Sequence, residues 1–139
     1  MPVIRSAGAA AQSIAVSALK AESARMRVIA ENIANANSTS STPGGDPYRR
    51  QIPVFSPTKV DGGQGVRMVR TQPDATAFKD EYNPGHPSAD NRGFVKMPNV
   101  DPLVEALDMR TAQRVYEANL NIIETARSME SRTLDLLRK

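Results

Sequence analysis

The side chains best able to do chemistry are few and scattered. The one histidine, His86, sits in Pro84-Gly85-His86-Pro87. Imidazole works as a base or metal ligand when other groups converge on it. No cysteine and no second histidine occurs in the 139 residues to join it, so a turn residue is the simpler reading. The cysteine count also excludes disulfide scaffolds, thiol catalysis and Cys-based zinc sites. Asn37-Ser38-Thr39 matches a glycosylation acceptor, but it lies in a stretch that already reads as turn chemistry. Gly62-Gly63-Gln64-Gly65 lacks the strand, helix and spacing of a phosphate loop and reads as a flexible turn. Glu117, Glu124 and Glu130 have Arg114, Arg127 and Arg132 nearby. Paired-carboxylate catalysis needs a cleft that shifts one pKa, whereas a helix face with mixed charges needs only surface ion pairs. No catalytic residue, cofactor or metal is expected.

The elements that carry these residues are set out by the breakers. Eight of ten prolines lie between Pro43 and Pro98, and seven of eight glycines between Gly44 and Gly93. Two helix-compatible arms therefore flank a breaker-rich middle. The pattern predicts a mainly α chain in three parts: an N-terminal helix in 1–37, a Pro/Gly-rich segment of loops and short β-strands in 38–100, and a C-terminal helix in 101–139. The first and third parts form a single assembly domain, paired as a coiled-coil-like bundle.

In the first arm, from about residue 3 to residue 36, Ala15, Leu19, Glu22, Met26, Ile29, Ile33 and Ala36 are spaced 4-3-4-3-4-3, a heptad seam flawed at Glu22. Asn32, Asn35 and Asn37 and the serines after them end it, because short polar side chains compete for backbone hydrogen bonds. The second arm opens with Asp101 as a cap and Pro102 at the first helical position. Its seam is Ala112, Val115, Asn119, Ile122, Ala126, Met129, Thr133 and Leu136. Asn119 on that seam trades stability for register. At ~1.5 Å per residue the arms span ~50 and ~55 Å, a matched pair. In the middle, Gln51–Phe55 and Val66–Thr71 are the best strands, with Gly62–Gly65 as their turn; Ala75–Tyr82 and Phe94–Met97 are weaker. The prolines forbid a regular central sheet.

Two seams with few large side chains do not readily offset the entropy of ordering two long helices. Folding is thus expected to be coupled to assembly. No run approaches the ~18 apolar residues of a membrane span. The start lacks a Leu-rich run and does not read as a secretory signal; a transit peptide, with Arg5 and Lys20 and no acid in residues 1–21, fits better among leaders. Net charge is +3 with a pI near 9.5. Basic residues never run beyond two in succession, which weakens the alternative reading, a small basic nucleic-acid-binding helical protein.

The order of motifs then resembles one family. Glu31-Asn32-Ile33-Ala34-Asn35-Ala36-Asn37 resembles the N-terminal signature of bacterial flagellar rod and hook axial proteins, and Pro47-Tyr48-Arg49-Arg50 the segment after it. Glu81 to Asp90, Gly93 to Val100, Arg114 to Asn119 and Ala126 to Met129 look like the proximal-rod branch. Phe94 stands where that branch usually shows Tyr, Arg127 where Lys is common, and Ser38 to Gly45 is looser. The resemblance implies a non-enzymatic subunit of the basal-body rod, located in the periplasmic space and exported by the flagellar type III apparatus. Its implied partners are further copies of itself and the rod proteins FlgB, FlgF, FlgG and FliE, with no nucleic acid and no small-molecule substrate. Expected seam residues are Leu19, Met26, Ile29, Ile33, Val115, Asn119, Ile122, Met129 and Leu136. Expected motif and lateral-contact residues are Asn32, Asn35, Asn37, Tyr48, Arg49, Tyr82, Pro84, Gly85, His86, Asp90 and Phe94.

Overall fold

A computed structural model describes residues 6–139. It has two long helices, α1 (Ala7–Ala34) and α2 (Pro102–Leu137), with four strands between them: β1 (Gln51–Val60), β2 (Gly63–Pro73), β3 (Lys79–Tyr82) and β4 (Phe94–Met97). The protein is mainly helical with short antiparallel strands. The expected helix onset near residue 3, Arg5 and the first residues of the transit-peptide reading lie outside the described residues.

The helix ends follow their sequence signals. Ser6 caps α1, its Oγ accepting from the Ala9 N–H at 3.2 Å. At the far end, the Asn35 backbone and side-chain N–H groups both donate to the Glu31 carbonyl, at 3.1 and 2.9 Å. This uses carbonyl capacity that a helix end otherwise leaves unpaired. Asp101 caps α2 by accepting from Leu103 N–H at 3.0 Å, and Pro102 occupies the first helical position.

The first two strands are longer than the sequence suggests, the third is shorter, covering only Lys79–Tyr82 of the expected Ala75–Tyr82, and the fourth has the expected bounds; the proline argument holds. They form two separate two-stranded sheets, β1 with β2 and β3 with β4, so no strand is central and Pro53 and Pro57 sit within an edge strand. The β1–β2 turn is Asp61-Gly62 alone; Gly63 and Gly65 belong to β2. Gly62 has φ +87°, and a Cβ there would lie 2.9 Å from the Ala10 Cα of α1. Only glycine fits both the turn and that approach. Ser17 of α1 accepts from the Val66 N–H at 3.1 Å, so part of the β2 edge is satisfied by the helix. The second sheet pairs Lys79 with Met97, Asp80 with Lys96, Glu81 with Val95 and Tyr82 with Phe94.

The chain divides into two compact units. The first consists of Met1–Met26, Val54–Arg70 and Thr111–Lys139. Its described buried apolar residues are Ala15, Ala21, Ala112, Ile123 and Ala126. The second consists of Arg27–Pro53 and Thr71–Arg110, with Val28, Ile29, Ala36, Val95 and Val100 buried together with the polar Asn32, Ser88 and Glu105.

Candidate assembly surfaces

In the second unit, the amide of Asn32 is the hub of a buried polar cluster. Asn32 lies on the last full turn of α1 and is 1% exposed. Its Oδ1 accepts from Tyr48 Oη at 2.7 Å and from the Gln51 N–H at 2.9 Å. Its Nδ2 donates to the Gln51 carbonyl at 2.9 Å and to Glu105 Oε2 at 3.2 Å. One side chain thereby holds both backbone groups of a strand residue, as a neighbouring strand would. Glu105, also 1% exposed, gives its other oxygen to Arg50 Nε. Arg50 reaches Asp74 at 3.2 Å and Asp108 at 3.8 Å, and the Asp74 N–H donates to the Arg50 carbonyl at 2.8 Å. Asn99 accepts from the Arg50 N–H at 2.8 Å and donates to Thr76 Oγ1 at 2.9 Å.

The electrostatics follow from this packing. Burial pushes the Tyr48 phenol above its ordinary pKa, and the negative charges of Glu31 and Glu105 add to the effect. Burial alone would lower the Arg50 guanidinium, but Glu105 and Asp74 more than compensate and hold it above its usual value. Asp74 is held below the carboxylate range, chiefly by the Thr76 backbone N–H, with the Thr76 side chain and Arg50 contributing. Arg49 points elsewhere: its guanidinium lies 4.2 Å from the Phe78 ring centre and donates to the Asp74 and Thr76 carbonyls.

The second surface is the loop between β3 and β4. Asp90 organises it, accepting from the Arg92 and Phe94 N–H groups at 2.8 and 3.0 Å. The Phe94 backbone hydrogen bond and then that of Arg92 hold the Asp90 carboxyl below its ordinary pKa. His86 serves as a turn acceptor: its Nδ1 receives the Ser88 N–H at 3.0 Å. Buried Ser88 then joins the preceding loop by donating to the Ser40 carbonyl and accepting from the Gly44 N–H. Tyr82 and Phe94 meet edge-to-face at 5.3 Å, with Tyr82 66% exposed. Gly93, at φ +83°, leaves room for them; a Cβ would sit 2.9 Å from the Tyr82 ring. Pro84 and Gly85 are exposed beside them.

The third surface belongs to α2 in the first unit. Ala112, Tyr116, Asn119, Ile123, Ala126 and Glu130 follow a 4-3-4-3-4 spacing and are buried or half-buried. Glu130 accepts from Ser6 Oγ at 2.8 Å and Gln12 Nε2 at 3.1 Å on α1. Roughly a quarter-turn round the helix, at ~100° per residue, runs a second apolar line. Val115, Ile122, Met129 and Leu136 are all exposed there, Met129 at 62% and Leu136 at 74%. Beside them an open groove of about 350 Å³ is lined by Ala7, Gly8 and Ala11 of α1 and by Ile122, Thr125 and Met129 of α2.

The expected residues thus fall in three groups. Ile29 is buried, while Leu19, Met26 and Asn119 are half-buried. Ile33, Val115, Ile122, Met129 and Leu136 are exposed. Asn32, Tyr48, Arg49 and Asn35 are engaged in hydrogen bonds within the chain, and Asn37 is exposed. Sequence reasoning missed Arg50, Asp74, Asn99 and Glu105. The period-two alternation of an extended segment puts Arg50 on the same side as Tyr48, a signal that was available. Among the described residues, no group of three His, Asp or Glu side chains could hold a metal, and no helix is long and apolar enough to cross a membrane.

Residues 13–40 match the family described as flagella basal body rod protein, and residues 91–136 the one described as flagellar basal body rod FlgEFG protein C-terminal. Over 132 residues the chain is 48% identical to the flagellar basal-body rod protein FlgC of Agrobacterium fabrum, covering 93% of this chain and 94% of the relative. The chain belongs to the FlgC family. The FlgC proteins of Borreliella burgdorferi and Escherichia coli O157:H7 are 39% and 42% identical, over 90% and 88% of this chain and 94% and 92% of theirs. As a member of the FlgC family it is a structural subunit of the flagellar basal-body rod. The first match includes Asn32, Asn35 and Asn37, and the second includes β4, Asp101, Glu105 and the exposed line of α2.

Proposed function

We propose that the chain is a proximal-rod subunit, exported by the flagellar type III apparatus and built into the torque-transmitting shaft. There it joins further copies of itself and the rod proteins FlgB, FlgF, FlgG and FliE. In this reading 1–37 and 101–139 act as one assembly domain with coiled-coil-like helix pairing, while 38–100 supplies lateral contacts through Tyr82, Pro84, His86 and Phe94. The role is mechanical rather than catalytic.

One observation carries the reading. In the first unit the described buried apolar residues are four alanines and Ile123, whereas Val115, Leu120, Ile122, Met129, Leu134, Leu136 and Leu137 are exposed. Among them Val115, Ile122, Met129 and Leu136 form one exposed line, which is a docking surface or an aggregation hazard. In a shaft it lies against neighbouring helices and distributes torsional load along their length. A chain without cysteine and with a slight core is also readily exported unfolded. Ile122→Asp tests this: the variant should reach the culture medium at normal levels yet leave cells non-motile. Normal swimming would overturn the reading.

A further inference from the structure

The loop between β3 and β4 meets the segment 38–46 through Ser88, which is 4% exposed. Ser88 Oγ donates to the Ser40 carbonyl, and the Ser88 carbonyl accepts from the Gly44 N–H at 3.0 Å. These two bonds fasten one loop to the other. Ser88 is aimed by its own N–H, which donates to His86 Nδ1 at 3.0 Å. Pro87 stands between the two residues, and its ring fixes φ in that short span. The His86 backbone is held as well, its N–H donating to the Asn83 carbonyl at 3.1 Å and its carbonyl accepting from the Ala89 N–H at 3.0 Å. A ring nitrogen that accepts carries no proton, so this imidazole is neutral with its hydrogen on Nε2. The residue is half-buried, within reach of solvent protons.

We propose that His86 is a proton switch: neutral, it docks the segment 38–46 against the β3–β4 loop, and protonated, it releases it. Imidazole is the side chain whose charge ordinarily changes between about pH 5 and 8. A second proton turns Nδ1 from an acceptor into a donor. The buried Ser88 N–H then has no partner, and two donors face each other, so the turn opens. Docking is therefore present at neutral and alkaline pH and lost as pH falls. The charged groups on the elements packed here are engaged with one another. Asp90 pairs with Arg92 at 3.7 Å in the same loop, and Asp46 of the docked segment pairs with Lys96 of β4 at 3.1 Å. Lys79, Asp80 and Glu81 of β3 are exposed. Among the described residues His86 makes no ion pair. Asp90 keeps its charge across the range, because the Phe94 and Arg92 N–H groups hold it below its ordinary pKa. A Cβ on Gly44 would lie 3.6 Å from the Asp90 Cβ, and Asp90 accepts from the Phe94 N–H. Releasing the segment thus uncovers one side of the turn that carries the Tyr82–Phe94 pair. The consequence, a lateral surface loosened by acid, rests on the proximal-rod reading; the switch itself needs only the folded chain.

The test follows amide hydrogen exchange of the full chain by NMR at about pH 8 and pH 5, corrected for the intrinsic exchange rate. Protection of the Ser88 and Gly44 amides should fall on the order of tenfold at the lower pH, as expected for one buried hydrogen bond. The Gln51 amide, held by Asn32, should not change. His86→Asn supplies the discriminating variant, because an asparagine oxygen also accepts the N–H two residues on but takes up no proton. In His86→Asn the two loop amides should stay protected at both pH values. Constant protection in the native chain, no protection of Ser88 at pH 8, or an equal fall in His86→Asn overturns the switch. A second measurement needs no variant: the ring ¹⁵N resonances of His86 should show a bare Nδ1 at pH 8 that gains a proton as Ser88 protection falls. A proton already on Nδ1 at pH 8 also overturns it. Each of these readouts is independent of the rod, so a failure of the proximal-rod reading would leave them unchanged.

Discussion

The two units of the molecule are held by different physics. In the second, an α-helix end, an extended segment and a helix start are joined by side-chain hydrogen bonds through Asn32, Arg50 and Glu105. A buried network of this kind fixes one geometry because every alternative leaves a polar group unpaired. In the first, four of the five described buried apolar residues are alanines, and apart from Ile123 the large apolar side chains of α2 there are exposed. Close packing of small residues sets distance but buries little apolar area per residue. One unit is thus specified within the chain, and the other is left to be completed from outside. The difference suits a subunit that needs both a defined identity and an unsatisfied surface.

The largest test of this contrast is to remove the buried carboxylate. Glu105→Ala takes from Arg50 its most buried partner and from the Asn32 amide one of its two acceptors; breaking a buried pair typically costs about 3–5 kcal/mol, and the lower end is expected because Arg50 keeps Asp74 and Asn32 keeps the Gln51 carbonyl. Native-state hydrogen exchange of the isolated chain reads it directly. In the native sequence, amides of residues 48–51 and 95–100 should be the most protected, and those of residues 122–137 the least. Glu105→Ala should erase the first set and leave the second unchanged. Strong protection throughout α2 in the solitary chain would break the contrast.

A smaller change sharpens it. Tyr48→Phe keeps the ring but removes the donor to Asn32 Oδ1, which still receives the Gln51 N–H. A loss of about 0.5–1.5 kcal/mol is expected, the ordinary net value of one hydrogen bond. The same exchange measurement should show it at residues 48–51 and nowhere in residues 111–137.

How much of this was legible in the sequence depended on whether a feature is local. Asp101-Pro102 states a helix start by itself, and the asparagines at 32, 35 and 37 state a helix end, so both helices stand close to where they were expected. The hairpin was recognised, but its turn was assigned to Gly62–Gly65, because glycine runs look like turns. The structure instead uses Gly63 and Gly65 within β2, where α1 passes close by. The sequence also suggests strands over Ala75–Tyr82 and Phe94–Met97; of the first only Lys79–Tyr82 forms, and it pairs with the second. The heptad reading placed Val115 and Ile122 with Ala112 and Ala126, since a 3-4 repeat of apolar residues does not say which of two neighbouring lines faces the chain's own core. The Asn32–Glu105 link joins residues 73 apart, and no periodicity carries that information.

The smallest expected effect is the pH dependence of the second unit. The Asp74 carboxyl has a folded-state pKa below its unfolded value, held there chiefly by the Thr76 backbone. A depressed carboxylate contributes stability that is present above the unfolded pKa, near 4 for aspartate, and lost as pH falls through the folded value. Tyr48 has the opposite sign. Its folded pKa is raised, chiefly by burial, so its contribution is complete below the unfolded value near 10 and disappears as pH rises through the folded one. Protection of residues 48–51 should therefore be flat between about pH 5 and 9 and decline on both sides. Asp74→Asn should flatten the acid limb and Tyr48→Phe the alkaline limb, each leaving the other in place. Asp74 and Tyr48 make their hydrogen bonds within the second unit, so residues 111–137 should show no matching decline. An acid limb that survives Asp74→Asn would mean that another carboxylate holds the base of the hairpin.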